Sequence, residues 1–272
     1  MPILNSNSTN YVHPWEPNLA DLHLAMGYNA GGQPALRNLD FNLAVAQGRV
    51  PGVSALNISG YSSSVGLTFI PAWGNDTPYV YFPSAQAVRI WSDSALDTNI
   101  SVEVQGLDSN YVQQTETVLL NNGVTGVLST KQFLRVNRLR LTRAPNNVGL
   151  IHASNNNKSI TLAYINNPTT GLSAGISQMT VYTVPAGYTF YLTQSNWYVG
   201  GNQSGLYRSW TQAPDGLITI VLNFPITTEY NSTKVVARPY TEKTDIQWQV
   251  SASNNIPIGG QIEGYLISNT YL

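Results

Sequence analysis

A chain of 272 residues is long enough for one large or two medium domains with a proper buried core. Only 10% of it is charged, against roughly 25% in an ordinary soluble domain, yet 42% is apolar, so the low charge does not signal disorder. Its net charge of -1 and lack of cysteine exclude disulfides, thiolate metal sites and bulk attraction to nucleic acid or anionic membrane. Asn, Ser and Thr supply the polarity. Such a surface costs less to desolvate than a charged one, which suits a protein covered by neighbours.

The N-terminal stretch MPILNSNSTNYVHPW has neither the basic start nor the apolar run of a signal peptide. No later stretch has the length of apolar chain a membrane helix needs. Asn-x-Ser/Thr triplets recur, as expected by chance in so Asn-rich a chain, and glycosylation is not expected. Asn18 is a plausible helix cap, with Leu19, Leu22 and Met26 at helical spacing and Gly27 as a stop. Leu36, Leu39 and Leu43 fit a second short helix, although Leu43 to Ala46 fit the start of a strand equally well. Residues 1–50 are therefore predicted to form a short, partly helical N-terminal arm.

From Gly52 onward the pattern is strand after strand. Ile100, Val102 and Val104 alternate with polar residues, as do Ile246, Trp248 and Val250, and Ile218, Ile220 and Leu222. Met179, Val181 and Thr183 run into the turn Pro185-Ala-Gly187, after which Tyr188, Phe190 and Leu192 resume the alternation. Period-2 runs with one polar face belong to antiparallel sheets covered on one side. In Phe133 to Leu141, Leu134 and Val136 lie on one parity and Leu139 and Leu141 on the other. Burying both pairs requires a bulge near Asn137-Arg138. With about 14 strand candidates, the chain reads as all-β: tandem antiparallel sandwiches of the jelly-roll or Greek-key sort. The Asn-rich segment 145–157 marks a break, giving a first sandwich over 51–148 and a second over 149–272. A single larger double-sheet domain is the alternative.

The residues offer little chemistry. His13, His23 and His152 are far apart and lack metal-ligand spacing. Asp93, Asp97 and Asp108 suit Asx-turns better than a loop calcium site. Glu242 and Asp245 would form a glycosidase-like pair only if the fold brought them, or a distant partner, face to face across a cleft. No nucleophile elbow, phosphate-binding glycine loop or dinucleotide fingerprint occurs; Gly200 to Gly205 reads as a flexible hairpin tip. No catalytic residue, metal or cofactor is expected. One concentration of charge stands out: Lys131, Arg135, Arg138, Arg140 and Arg143, out of 13 basic residues in all. It reads as a solvated strand face that discourages edge pairing or as a dock for an acidic partner, with nucleic-acid binding last because no aromatic stacking partners are interleaved there. Of the 16 Tyr and 6 Trp, most are expected in the core, while Tyr188, Tyr191, Tyr198 and Tyr207 near loops are candidates for a glycan or partner surface.

Several segments together resemble virion structural proteins of tailed bacteriophages. They are LAVAQGRVPGVSALNISG (43–60), VRIWSDSALDTNISVEVQGLD (88–108), ETVLLNNG (116–123), FLRVNRLRL (133–141), VYTVPAGYTFYLT (181–193) and EKTDIQWQVSASNNIPIGGQIEGYLI (242–267). The resemblance implies a non-enzymatic β-sandwich subunit of the virion, foremost a head decoration or cement protein that stabilises the capsid. The alternatives are a tail-associated structural or receptor-binding fibre protein and, third, a glycan depolymerase. The implied partners are further copies of the chain as a homo-oligomer, the major capsid protein or tail components, and a host surface glycan, with no membrane and no specific nucleic acid.

Overall fold

The computed structural model describes residues 41–142, 146–168, 175–201 and 203–271. The first predicted helix, around Leu19 to Met26, lies outside these residues. The chain divides into two compact units, Met1–Ala55 and Leu56–Leu272. In the first, residues Phe41–Ala46 form the helix α1, so the helical reading of Leu43 to Ala46 holds. The Gln47 N–H closes the helix end on Leu43 O at 3.0 Å.

The second unit is built of antiparallel β-strands. Strands β1 (Val53–Val65) and β2 (Ile70–Pro71) come first, although β1 starts within the first unit. Then follow β3 (Gln86–Ser92), β4 (Ile100–Leu107), β5 (Gln113–Leu120) and β6 (Val127–Phe133), then β7 (Arg135–Leu141), β8 (Ile151–Ser154) and β9 (Thr161–Ile165). The last group is β10 (Val181–Thr183), β11 (Tyr188–Val199), β12 (Gly205–Gln212), β13 (Ile218–Ile226), β14 (Glu229–Tyr240), β15 (Asp245–Ala252) and β16 (Ile256–Ser268). Four sheets result, in the orders β6-β3-β8-β9, β5-β4-β7, β1-β16-β11-β14 and β10-β15-β12-β13, with β2 also paired to β15. The first two sheets enclose one apolar core, the last two another. This is the expected all-β sandwich architecture.

The two sandwiches do not follow one another along the chain. β1 and β2 belong with β10 to β16, and β3 to β9 are inserted between them. The expected boundary at 148/149 is therefore corrected: β8 pairs with β3 through Arg89↔Ser154 and Trp91↔His152, so the insert runs on to Ile165. The Asn-rich segment is a connection inside a sandwich, because its polar residues mark a surface loop and carry no information about which strand comes next.

The two cores also share a wall. Along β10, Val181 packs into the insert's core while Tyr182 packs into that of the terminal sandwich. On β15, Ile246, Trp248 and Val250 face the terminal core as expected. The opposite parity, Asp245, Gln247, Gln249 and Ser251, is buried too, so this face is not the solvated one that alternation suggests. Its polar groups are paired: Gln249 Nε2 donates to Gln247 Oε1 at 2.8 Å, and Arg208 Nε donates to Gln249 Oε1 at 2.7 Å. Trp73, Tyr79 and Tyr81 meet edge to face in succession, and Tyr81 stacks on Trp210 of β12. An aromatic file thus runs from the insert onto the outer face of the terminal sheet.

The bulge expected in β7 is present. Gly106 of β4 pairs with Val136 and Gln105 with Arg138, which leaves Asn137 without a partner in the ladder. Its side chain instead bonds to β10: Asn137 Nδ2 donates to Thr183 O, and the Thr183 N–H donates to Asn137 Oδ1, both at 3.0 Å. The extra residue lets Val136 and Leu139 both reach the core. The run Ile218, Ile220 differs from expectation: both side chains are exposed on the edge strand β13.

Candidate functional site

The five basic residues do not form one surface. Arg135 is buried, and its Nε and Nη2 donate to Asp245 Oδ1 and Oδ2 at 2.8 and 2.7 Å. Its Nη1 donates to the carbonyls of Phe82 and Leu134, and its guanidinium lies 4.6 Å from the Tyr81 ring centroid. Burial opposes the charge, but the hydrogen bonds and charge of Asp245 outweigh it, and the Arg135 pKa is raised above the ordinary arginine value. Arg138 donates to Asn57 O at 2.7 Å, Arg140 stands exposed 3.8 Å from Glu103, and Lys131 donates to Thr115 O on the other sheet of the insert. Arg143 lies outside the described residues. Arg135 is therefore no part of a docking patch; it ties the two sandwiches together.

The carboxylates are occupied as well. Asp97 is buried and accepts from the Ser92 hydroxyl and from the backbone N–H groups of Val148 and Gly149. Asp108 caps its own turn through the N–H groups of Asn110 and Val112. Glu242 accepts from the Gly187 N–H, and Asp245 is taken up by Arg135 and the Thr183 hydroxyl. No cluster of three metal-ligating side chains exists among the described residues. The Gly200 to Gly205 segment is not a hairpin tip, because β11 and β12 lie in different sheets.

Of the candidate aromatics, Tyr207 is buried and Tyr188 and Tyr191 are partly covered. Tyr198 differs, with 52% of its surface exposed. It stands on the outer face of β11, in a groove of ≈ 310 Å³. The strand register builds this groove. Asn196 pairs with Gln261 of β16 on one side and Asn231 of β14 on the other, so three amides form a row across the sheet. Two residues on, Tyr198 pairs with Gly259 and Glu229, which sets an aromatic ring and a carboxylate beside that row.

The glycines permit this arrangement. A Cβ on Gly259 would come within 2.3 Å of the Tyr198 ring, and one on Gly260 within 2.4 Å of the Trp197 ring. The Tyr198 ring thus lies on bare backbone at Gly259, on the side away from Glu229. That burial, with the nearby Tyr61 hydroxyl, raises the Tyr198 pKa and keeps the phenol neutral at ordinary pH. Gln194 donates to Asn196 Oδ1 and Gln261 donates to Glu263 Oε1, which leaves an amide donor on Asn196 and an amide acceptor on Gln261. Gln178, which also lines the groove, has a buried carbonyl oxygen with no donor. Tyr198 was legible as a candidate surface aromatic; the amide row was not, since it joins three strands distant in sequence.

No family profile matches this chain, and no curated protein matches it. Among solved structures it is similar to a bacterial lipoprotein from Bacteroides thetaiotaomicron at 12% identity, over 76% of this chain and 99% of that one. The TM-score is 0.17, too low to bear on fold or function.

Proposed function

We propose that the chain is a non-enzymatic structural protein of a tailed-phage virion, and first of all a head decoration or cement subunit. The observation that supports this reading is the edge of the terminal sandwich. β13 carries no charged residue, and its Ile218 and Ile220 are exposed. Edge strands of proteins that stay alone are usually protected by lysine, other charges or cover. Ile220 lies directly opposite Trp210 on the sheet face that already packs against the insert. On the other edge strand, β14, residues 234–237 bulge out opposite Thr193, and Val236 is 83% exposed. The apolar, uncharged edge at β13 suits burial by neighbouring subunits, whether further copies of the chain or the major capsid protein, whereas β14 carries Glu229, Lys234 and Arg238. The resemblance of the sequence segments supplies the virion context.

Light scattering on the purified chain tests the contact. The expected result is association that rises with concentration and is lost in Ile220→Lys, while the melting temperature stays unchanged. Fractionated particles test the placement. Recovery with capsids at high copy number supports the head, and recovery with tails alone overturns it. The open groove at Tyr198 favours a second placement at the tail, in a receptor-binding subunit.

A further inference from the structure

We infer that the groove around Tyr198 is a binding site for a neutral pyranose, such as the terminal sugar of a glycan. The inference rests on the groove and on neither placement within a particle.

A pyranose has one face of C–H groups and a rim of hydroxyls that both donate and accept. The C–H face wants a flat, accessible aromatic ring, and the rim wants fixed amides and carboxylates beside it. Both are present. Gly259 lets the Tyr198 ring lie on the sheet, and 52% of the residue remains open to solvent. Tyr is suited to such a role because its apolar body is rigid and its hydroxyl still bonds water or ligand. Beside it stand Asn196, Asn231 and Gln261 in one cross-strand row, with Glu229 in the next. Between them they offer donors and acceptors held on strand backbones, where side chains are positioned more exactly than on loops.

Two further features choose the ligand class. Glu229 lines the groove, and Glu263 stands next along β16 from Gln261, so an anionic ligand meets carboxylates at short range. A neutral sugar pays no such penalty. The volume of ≈ 310 Å³ stands at the small end of the range for ligand sites, about 300–1,000 Å³. That suits a single terminal ring better than a long enclosed chain.

Saturation-transfer NMR on the full chain tests this, with the methyl glycosides of glucose, galactose, mannose and N-acetylglucosamine as probes. At least one is expected to receive saturation on one ring face, with millimolar affinity by calorimetry. Tyr198→Ala should abolish the transfer. Gly259→Ala keeps the aromatic ring but pushes it off the sheet, and should weaken binding about tenfold or more. Val236→Ser, on an exposed site outside the groove, should bind as the parent does. Circular dichroism and melting curves establish that each variant is folded. Failure of all four sugars at millimolar concentration overturns the proposal, as does undiminished binding by folded Tyr198→Ala. Tighter binding of glucuronic acid than of the neutral glycosides overturns the ligand class.

Discussion

Arg135 shows how far a residue's role can depart from its local context. It sits in RVNRLR, beside other basic residues, yet its partner Asp245 is 110 positions away. Nothing short of the fold brings them together, so the sequence pattern suggested a basic surface. Removing one member of a buried, fully bonded pair strands the other charge, at a cost of about 3–5 kcal/mol. Arg135→Ala should therefore lower the unfolding free energy in urea by about that amount. Replacing both residues by apolar side chains of similar size should cost much less than the sum of the single changes. Additive effects would show that the pair is not coupled. His152 offers a second check. Its ring stacks on Trp91 at 4.1 Å, and its Nε2 lies 3.1 Å from Asp93 Oδ1. Burial lowers its pKa, opposed by Asp93 and assisted by Lys158. A histidine with a lowered folded pKa binds its proton more weakly than the unfolded chain does. Its contribution is present above the ordinary value of about 6.5 and is lost as pH falls through the folded pKa. Stability should decline as the pH falls from about 6.5 through the folded pKa, and His152→Gln should flatten the decline; an NMR titration of the ring should give a midpoint below that of free histidine.

At the scale of elements, alternation was informative about phase and silent about cover. The parity break in Phe133 to Leu141 required a bulge, and Asn137 supplies it. Alternation in β15 separated its two faces correctly, but a period of two cannot say that the polar face is sealed by another sandwich. The same blindness applies in reverse to β13, whose Ile218 and Ile220 would be core residues if a further layer covered them. The bulge also makes a prediction of its own. Asn137 bonds both backbone groups of Thr183, so it acts as a substitute strand partner between insert and terminal sandwich. Asn137→Ala leaves a buried N–H and carbonyl without partners and should cost about 1–3 kcal/mol. Asn137→Asp keeps the acceptor for the Thr183 N–H but loses the donor to its carbonyl, and should fall no higher than the alanine variant. Urea denaturation of the three proteins tests the order; an unchanged Asn137→Ala midpoint would mean that water replaces the amide.

On the scale of the whole second unit, an inserted sandwich raises the question of independent folding. Sandwiches in tandem can each close their own core, and composition alone favoured that arrangement. Here β2 must pair with β15 and β1 with β16, after the whole insert has been threaded between them. The terminal core cannot close unless the insert's two ends, near β2 and β10, are brought together. The insert in turn takes core residues from outside its own sheets: Trp73 and Phe82 before it, Met179 and Val181 after it. The Arg135–Asp245 pair and the file Tyr79, Tyr81, Trp210 bind the two across the shared wall. Each sandwich therefore completes the other, and residues 56–272 should unfold in one step. Hydrogen exchange in sub-denaturing urea reads this directly. The slowest amides of β4, in the insert, and of β16, in the terminal sandwich, should share one opening free energy and one dependence on urea. Two distinct opening energies would show that the wall is an interface between separate folding units. In that event Arg135→Ala should lower only one of them, whereas a single cooperative unit requires it to lower both equally.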